Sequence, residues 1–256
     1  MKIAIISKNN YPQLEDLKKN FTIVEHNPDI CVAIGGDGTF IKAARSFKCP
    51  LLPIRTNERG SLGYYADVSL NEMSKIISLL KSKNYTIEPL SKKLYVRHKN
   101  RLHYAINEIL LRNNAQEIYF SIKEIDGKKK IKISPFIISG DGLIITSAMG
   151  STAYNKSAGG PIIMTPKVLG LTFLNPDGPY THPMIIDGGS VIEIKVEKYN
   201  GRIIADNFEI AHLVPGDSFI VGMSNHVVRL IRFPNMREQF SSKLKRMVLS
   251  KFIEEI

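Results

Sequence analysis

The chain has 256 residues, of which 43% are hydrophobic and 8% aromatic, and it carries a net charge of +11 at pH 7. This length suits one large domain or two modest ones, and the composition excludes a disordered or fibrous protein. Apolar runs stay short of the roughly 18 residues that a membrane-spanning helix needs, and the N-terminus lacks the pattern of a signal peptide. We therefore expect a cytoplasmic protein whose positive charge favours an acidic partner such as a nucleotide.

The first half of the chain alternates predicted strands with predicted helices. We expect strands at residues 3–7, 21–25, 30–34 and 50–54, and helices at residues 14–20, 40–47 and 72–81. Residues 30–34 form a continuous apolar run, which is typical of a central parallel strand covered on both faces. Cys31 and Cys49 lie in or beside such runs, which favours buried free thiols over a disulfide or a zinc site.

From about residue 85 the pattern changes to strands and turns. We expect strands at residues 94–97, 103–111, 118–125, 130–134, 142–146, 191–196, 203–205, 218–222 and 227–232. Asp126-Gly127 is the strongest hairpin-turn pattern, and residues 99–101 form a second candidate turn. Near the C-terminus, apolar residues recur at helical spacing at Phe240, Leu244, Met247, Val248 and Phe252.

These patterns predict an α/β protein with two domains. Residues 1–88 with 233–256 would form a small N-terminal domain with an open parallel α/β sheet, because strands and helices alternate there. Residues 89–232 would form a β-rich C-terminal domain. The C-terminal helix must bury its apolar stripe, and we expect it to return to the first domain.

A glycine-rich segment, Gly-Gly-Asp-Gly-Thr at residues 35–39, lies between a predicted buried strand and a predicted helix. Glycines let the backbone approach a phosphate closely, and a helix N-terminus adds N–H donors and a favourable dipole. Asp37 would repel a bare phosphate, so it suits a residue that accepts a proton from an attacking hydroxyl or holds a metal ion. The structural alternative is a turn in which Asp37 or Thr39 caps the helix.

A second segment, residues 139–161, is dense in small residues and hydroxyls and has one aromatic residue, Tyr154. Small residues leave space for a planar ring, and hydroxyls and backbone groups can hydrogen-bond to its edge. Glycine- and serine-rich segments are often plain surface loops. This one is long and follows a strongly apolar strand, which favours a functional loop.

Together these segments resemble the NAD kinase family. Gly-Ser-Thr-Ala-Tyr at residues 150–154 and Ser-Ala-Gly-Gly-Pro at residues 157–161 are the specific motifs, whereas diacylglycerol kinases, sphingosine kinases and phosphofructokinases share motifs like residues 35–39. Asn107-Glu108 matches a third family motif, and residues 59–64 resemble the family's Gly-x-Leu-Gly-Phe loop. The resemblance spans nearly the whole chain and is weakest beyond about residue 165.

The resemblance implies an enzyme that phosphorylates the 2′-hydroxyl of the adenosine ribose of NAD, using ATP or polyphosphate and Mg²⁺ or another divalent metal. Asp37 would be the catalytic residue. The phosphate- or nucleotide-binding residues would be Gly35, Gly36, Gly38, Thr39 and Arg55. The NAD-binding residues, in the β-rich domain, would be Asn107, Glu108, Asp141, Thr152, Ala153, Tyr154, Ser157 and Asp206. The resemblance also implies a homodimer or homotetramer, with neither nucleic acid nor membrane as a partner.

Several of these assignments have structural alternatives. Asn107 and Glu108 suit an exposed strand pair, Tyr154 a core aromatic residue, Asp206 a turn residue and Arg55 a strand-end charge. The chain also departs from the family.

One departure is Met149, which replaces a threonine and removes a hydroxyl. Another is Phe208, which stands where the family has a polar contact.

Two other functions compete with NAD phosphorylation. A lipid kinase would share the glycine-rich segment but need an acyl-binding surface, and a nucleic-acid-binding protein is suggested by charge alone.

Overall fold

The computed structural model describes residues 1–56, 63–113, 115–126, 129–134, 136–178, 182–238 and 242. The chain divides into two compact units, Met1–Leu90 with Val228–Ile256 and Ser91–Val227. The predicted C-terminal helix and most of the loop predicted at residues 59–64 lie outside the described residues. Within the described ranges, no helix is both long and apolar enough to cross a membrane.

The first unit alternates strands and helices, as predicted. Its elements are β1 Lys2–Ser7, α1 Gln13–Asn20, β2 Thr22–Ile23, β3 Ile30–Ile34, α2 Asp37–Ser46, β4 Leu51–Arg55, β5 Val68–Ser69 and α3 Met73–Lys81. The strands pair in parallel in the order β2–β1–β3–β4, and β5 pairs with the end of β4. All five residues of β3 are buried, which confirms the predicted central strand.

The second unit is β-rich, as predicted. Its elements, with the strands that enter and leave it, are β6 Thr86–His98, β7 Arg101–Ala105, β8 Glu108–Arg112, β9 Ile118–Asp126, β10 Lys129–Lys132, β11 Ile138–Gly140, β12 Gly142–Thr146, α4 Tyr154–Ser157, β13 Val168–Leu174, β14 Met184–Asp187, β15 Val191–Lys198, β16 Gly201–Ala205, β17 Phe208–Leu213 and β18 Ser218–Arg232. One antiparallel sheet has the order β14–β13–β12–β8–β16–β17. Its core side packs on buried residues of β9, β15 and β18.

The structure corrects two strand predictions in this unit. The strand predicted at residues 103–111 is interrupted at Ile106 and Asn107, between β7 and β8. The two strands predicted at residues 218–222 and 227–232 are one continuous strand, β18. The hairpin predicted at Asp126-Gly127 is consistent with the antiparallel pairing of β9 with β10, in which Lys129 lies opposite Asp126, although Gly127 lies outside the described residues.

The cysteine prediction holds for Cys31. It is a free thiol in β3 and is fully buried. Burial, with a smaller effect of the neighbouring Cys49, raises the pKa of the Cys31 thiol to about 12. Cys49 is half-buried rather than buried. Because a thiol with so high a pKa carries almost no thiolate at neutral pH, Cys31 is a packing residue of the parallel sheet.

A buried ion pair joins two distant segments of the first unit. Arg232, at the end of β18, donates a short hydrogen bond from Nη1 to Oδ2 of Asp67 and a second one to the backbone oxygen of Tyr65. The side chains of Arg232 and Asp67 are only 12% and 7% exposed. The pair therefore ties β18 to the segment that precedes β5.

Replacing Asp67 with Asn should lower the free energy of unfolding by about 3 kcal/mol, because it leaves the charge of Arg232 buried without its carboxylate. Urea denaturation of wild type and Asp67→Asn measures this difference. Lys18→Gln is the control, since Lys18 pairs with Glu15 on the surface of α1 with half of its side chain exposed. We expect that variant to match wild type. Equal effects of the two substitutions would contradict the structural role of the buried pair.

Candidate functional site

The glycine-rich segment of the first unit connects β3 directly to α2. Gly35 follows the last residue of β3, Gly36 is the N-cap of α2, and Asp37 lies in the first turn of that helix. The helix therefore begins three residues before the predicted start at residue 40, because the motif itself forms the first turn. The motif thus places a helix N-terminus at the carboxyl end of a buried parallel strand, where open α/β sheets bind ligands.

Gly35 and Gly38 of this segment differ in what surrounds the position of a side chain. Gly35 has a φ of +150°, and a Cβ there would lie 2.4 Å from Oγ1 of Thr39. Both its conformation and the close approach of Thr39 require glycine. Gly38 is exposed, and a Cβ there would have no atom within 4 Å among the described residues. The space in front of Gly38 is therefore open to a ligand.

Arg55 lies beside this segment at the same edge of the sheet. It ends β4, and the backbone N–H of Gly35 donates to the oxygen of Ile54 at 3.0 Å. Nη1 of Arg55 is 3.7 Å from Oε2 of Glu238, so its charge has a partly buried partner. Tyr64 is also near: burial and then the negative charge of Asp37 raise the pKa of its hydroxyl.

The second candidate site begins at the interruption between β7 and β8. There the backbone N–H groups of three consecutive residues converge on the carboxylate of Asp206. Ile106 donates to Oδ2 at 2.7 Å, while Asn107 and Glu108 donate to Oδ1 at 2.8 and 3.3 Å. Asp206 is 5% exposed and has a φ of +47° in the turn between β16 and β17. It is thus a turn residue, as the structural alternative stated, and also the anchor of residues 106–108.

The loop after β12 packs directly on the same interruption. Ser147 donates from Oγ to the backbone oxygen of Ile106 at 2.7 Å, and its N–H donates to the oxygen of Asn107 at 2.9 Å. A Cβ at Gly150 would lie 2.1 Å from the oxygen of Asn107, so only glycine fits there. The backbone of Asn107 is therefore fixed by Ser147 at its oxygen and by Asp206 at its N–H, and Gly150 of the Gly-Ser-Thr-Ala-Tyr motif packs directly against it.

The rest of that loop is fixed by buried polar side chains. Asn155 is fully buried, accepts a hydrogen bond from Oγ1 of Thr172 at 2.7 Å and donates to the oxygen of Pro161 at 2.9 Å. Oγ of Ser151 accepts from the N–H of Ile163 at 3.0 Å. These contacts hold Tyr154 at the start of α4, where it packs beside Leu110.

A cavity of about 310 Å³ opens beside these elements, and we call it the Glu108 cavity. Its lining combines carboxylates, a cation and apolar side chains: Glu108, Leu110, Arg112, Tyr154, Ile204, Asp206 and Asn207. Glu108, Leu110 and Arg112 alternate along β8, so their side chains share one face of the sheet. The size matches the lower end of small-molecule sites.

Glu108 is the electrostatically unusual residue of this cavity. It is 7% exposed, and its Oε2 is buried without a hydrogen-bond partner in the described part of the chain. Burial, followed by the neighbouring charge of Asp206, raises the pKa of the Glu108 carboxyl to about 7. Near neutral pH the side chain therefore exists in both protonation states, and it can accept or donate a hydrogen bond inside the cavity.

The structure brings together some of the predicted NAD-binding residues. Glu108, Tyr154 and Asp206 line one cavity, and Asn107 adjoins Glu108, with its Oδ1 buried and lacking a hydrogen-bond partner among the described residues. Asp141 is not among the described residues that line the cavity. It precedes Gly142, which pairs with Arg112, so it lies at the far end of β8 from Glu108.

The remaining predicted residues, Thr152, Ala153 and Ser157, belong to the turn around Tyr154 but are not among the described residues that line the cavity. Of the two departures from the family, Met149 is 7% exposed and belongs to the buried part of this loop. Phe208 is 56% exposed at the start of β17.

Four lining residues were not predicted: Leu110, Arg112, Ile204 and Asn207. Leu110 and Arg112 follow Glu108 at steps of two along β8, so strand alternation places all three side chains on one face. This prediction requires that the strand begin at Glu108, whereas the sequence predicted a longer strand at residues 103–111. Ile204 of β16 pairs with Leu110 of β8, a contact between residues 94 positions apart. No local pattern indicates such a pairing.

Comparison with known proteins identifies relatives across both units. A family model of the ATP-NAD kinase N-terminal domain matches residues 4–85, and a model of the ATP-NAD kinase C-terminal domain matches residues 114–233. The NAD kinase of Aquifex aeolicus is 31% identical over 250 residues, covering 92% of this chain and 87% of that protein. The NAD kinase of Sulfurisphaera tokodaii is 29% identical over 255 residues, covering 93% and 98%.

Two solved structures share the fold. The crystal structure of yeast NADH kinase complexed with NADH matches with a TM-score of 0.76 at 17% identity, covering 97% of this chain and 86% of that one. That of an NAD kinase from Archaeoglobus fulgidus in complex with ATP matches with a TM-score of 0.73 at 20% identity, covering 96% and 99%. These matches confirm the predicted combination of a parallel α/β unit with a β-rich unit.

The Glu108 carboxyl should make stability depend on pH. Between pH 4.5, the usual pKa of the group, and about 7, the folded protein binds a proton that the unfolded chain has lost. The stability due to this proton is present below pH 4.5 and is lost as the pH rises to about 7. Glu108→Gln cannot ionise, so its stability relative to wild type should be greater at pH 8 than at pH 5 by about 1–3 kcal/mol.

Urea denaturation of wild type and Glu108→Gln at both pH values measures this difference. Comparing the same two proteins at each pH cancels the titration of all other groups. A carbon-13 NMR titration of the Glu108 carboxyl gives its pKa directly, and Asp206→Asn should lower that pKa because it removes the neighbouring charge. An equal stability difference at pH 5 and pH 8 would show that Glu108 is ionised in the folded protein.

Proposed function

The chain belongs to the NAD kinase family and is a kinase, and we propose that it transfers a phosphoryl group to the 2′-hydroxyl of the adenosine ribose of NAD. The observation that carries this proposal is the Glu108 cavity, in which Glu108, Tyr154 and Asp206 meet beside the backbone of residues 106–108 that Asp206 anchors. Two of the motifs that predicted the function from sequence, Asn107-Glu108 and Gly-Ser-Thr-Ala-Tyr, each contribute one residue to its lining, Glu108 and Tyr154. We infer that the cavity accepts the adenosine end of the dinucleotide.

The chemistry of the cavity suits a nucleoside. Adenine and ribose offer donors and acceptors on their edges and an apolar ring face. Asn107 adjoins Glu108 without being one of the described lining residues; its amide can both donate and accept, and its Oδ1 has no partner within the described residues. The Glu108 carboxylate can accept from ribose hydroxyls, and Leu110, Ile204 and Tyr154 supply apolar surface. The NADH bound to the yeast relative supports a dinucleotide ligand.

We propose that the first unit supplies the phosphoryl-transfer chemistry. The helix N-terminus at Gly36, with open space before Gly38, would hold phosphate groups, and Arg55 would add a positive charge at the same sheet edge. Asp37, in the first turn of α2, would accept the proton of the attacking hydroxyl. The ATP bound to the Archaeoglobus relative supports a nucleotide donor, and polyphosphate is the alternative.

A divalent metal fits this proposal. No group of three or more His, Cys, Asp or Glu side chains is placed to hold a metal ion among the residues that the structure describes. Mg²⁺ is commonly bound by one or two carboxylates together with substrate phosphates, so Asp37 could hold it with the donor. When bound, the metal would screen the charge of the phosphates. Asp37 would then position the ribose hydroxyl beside it.

The sequence also predicts a cytoplasmic protein, and its family resemblance implies a homodimer or homotetramer. Size-exclusion chromatography with light scattering would test the assembly.

The two competing functions gain no support from the relatives. These are NAD and NADH kinases rather than lipid kinases or nucleic-acid-binding proteins.

The direct test is an assay of the purified protein with NAD or NADH, Mg²⁺, and ATP or polyphosphate. We expect NADP or NADPH to form, and the four combinations of substrate and donor identify the preferred pair. The product is detected with an NADP-specific dehydrogenase. The proposal fails if no phosphorylated dinucleotide forms with either donor while the protein phosphorylates a lipid such as diacylglycerol.

Asp37→Asn should lower turnover by about two to four orders of magnitude, the usual effect of losing a general base. The affinity for NAD should change much less, because the interaction acts mainly in the transition state. Asp16→Asn is the matched control, since Asp16 also lies in the first turn of a helix but on the exposed face of α1. Turnover of Asp37→Asn within about threefold of wild type would identify Asp37 as a helix-terminal charge only.

A further inference from the structure

Arg112 is a lining residue of the Glu108 cavity to which neither the motifs nor the family resemblance assigned a role. It ends β8, on the same strand face as Glu108 and Leu110. Arg112 lies four positions after Glu108, which corresponds to about 13 Å along an extended strand. The cavity therefore has carboxylates at one end and a guanidinium at the other, with apolar side chains between them.

The guanidinium of Arg112 has donor capacity that the described residues leave unused. Its Nε is buried and has no hydrogen-bond partner within the described ranges. A buried N–H without an acceptor costs about 1–3 kcal/mol, more for a charged group. Because Arg112 lines the cavity, a ligand there can supply an acceptor to its guanidinium.

The neighbouring strands carry charges of both signs beside Arg112. Arg202 of β16 lies directly opposite Arg112, and two like charges in that position repel each other. Arg202 is compensated, because its Nη1 lies 2.8 Å from Oε2 of Glu209. On the other side, Arg112 pairs with Gly142, which has no side chain, and Asp141 precedes that glycine. Because Glu209 already pairs with Arg202, an anion in the cavity would interact mainly with Arg112.

We propose that Arg112 binds a phosphate group of the adenine nucleotide whose nucleoside occupies the Glu108 cavity. This inference rests on the proposed function for the identity of the nucleoside, and it adds the residue that recognises the charged part. A guanidinium presents donors in a planar fork that matches two oxygens of a phosphate. The acidic end of the cavity would then bind hydroxyl or ring-edge groups, and the basic end the phosphate.

Two phosphates of the substrate or product have this chemistry. One is attached at the 5′ position of the adenosine, as in NAD itself, and the other is the 2′-phosphate that only the product carries. A contact with the first would help to bind the substrate, whereas a contact with the second would favour the product. The ligands adenosine, 5′-AMP, 2′-AMP and NAD separate these possibilities, because they differ in the presence and position of phosphate.

The experiment is isothermal titration calorimetry of these four ligands with wild type, Arg112→Gln and Arg202→Gln. Arg112→Gln should weaken the binding of NAD and 5′-AMP by about 10- to 100-fold, the range of a lost charge-assisted hydrogen bond, and that of adenosine by less than about twofold. Arg202→Gln removes the same charge from the adjacent position and should change none of the four affinities by more than about twofold. A loss confined to 2′-AMP would also support the proposal and would identify the product's phosphate as the ligand.

Three results would overturn the proposal that Arg112 binds a phosphate. In the first, Arg112→Gln loses as much affinity for adenosine as for the phosphorylated ligands, which would give Arg112 a role in cavity shape. In the second, Arg112→Gln binds the phosphorylated ligands as tightly as wild type does. In the third, Arg202→Gln binds them as weakly as Arg112→Gln does. Arg112→Lys keeps the charge without the planar fork and should retain part of the selectivity, which maintains the test if Arg112→Gln is unstable.

The outcome is independent of the kinase assay. If wild type forms NADP but Arg112→Gln keeps full affinity for NAD, 5′-AMP and 2′-AMP, only the role of Arg112 is wrong. If wild type forms no NADP yet binds 5′-AMP through Arg112, the proposed reaction is wrong and the phosphate site stands. If wild type binds none of the four ligands, both proposals are wrong.

Discussion

The carboxylate of Asp206 is the constraint on which the second unit's site depends. It accepts three consecutive backbone N–H groups, from residues 106–108, at a point where the chain leaves one strand and enters another. Without this acceptor, those N–H groups would be buried without partners at a substantial cost in stability. Burial raises the pKa of the Glu108 carboxyl to about 7, and the negative charge of Asp206 adds a smaller effect in the same direction. One side chain therefore fixes the shape of the cavity wall and contributes to the electrostatics of its acidic end.

Polar side chains around this cavity divide into two groups by their hydrogen bonds. Ser147, Asn155 and Thr172 are fully buried and bonded within the protein. In contrast, Oε2 of Glu108 and Nε of Arg112 are buried without partners in the described part of the chain. The first group stabilises the loop that follows β12. The second group lines the cavity and retains hydrogen-bonding capacity, which is consistent with the ligand-binding role proposed for it.

The sequence predicted most where the physical cause is local. The bounds of β3 and β12 match the predictions because both strands are fully buried and mostly apolar, and each has a glycine at one end: Gly35 follows β3 and Gly142 begins β12. The start of α2 was wrong by three residues, because the glycine motif was treated as a loop before the helix rather than as its first turn. The interruption at Ile106 was missed because its cause, Asp206, lies 100 residues away. Arg112 was missed for a related reason: its position on the cavity face depends on where β8 begins.

The contact between Gly150 and Asn107 has a consequence for how ligand preference can be altered in this fold. Because the two residues meet through main-chain atoms, the distance between the loop and the strand does not depend on the side chain at position 107. Geometry and chemical selectivity are therefore encoded separately at this point. Under the proposed assignment of Asn107 to the base, an engineer could exchange its amide for another group and redirect recognition toward a different base while the main-chain contact keeps its dimensions. Exchanging Gly150 would instead move the frame itself.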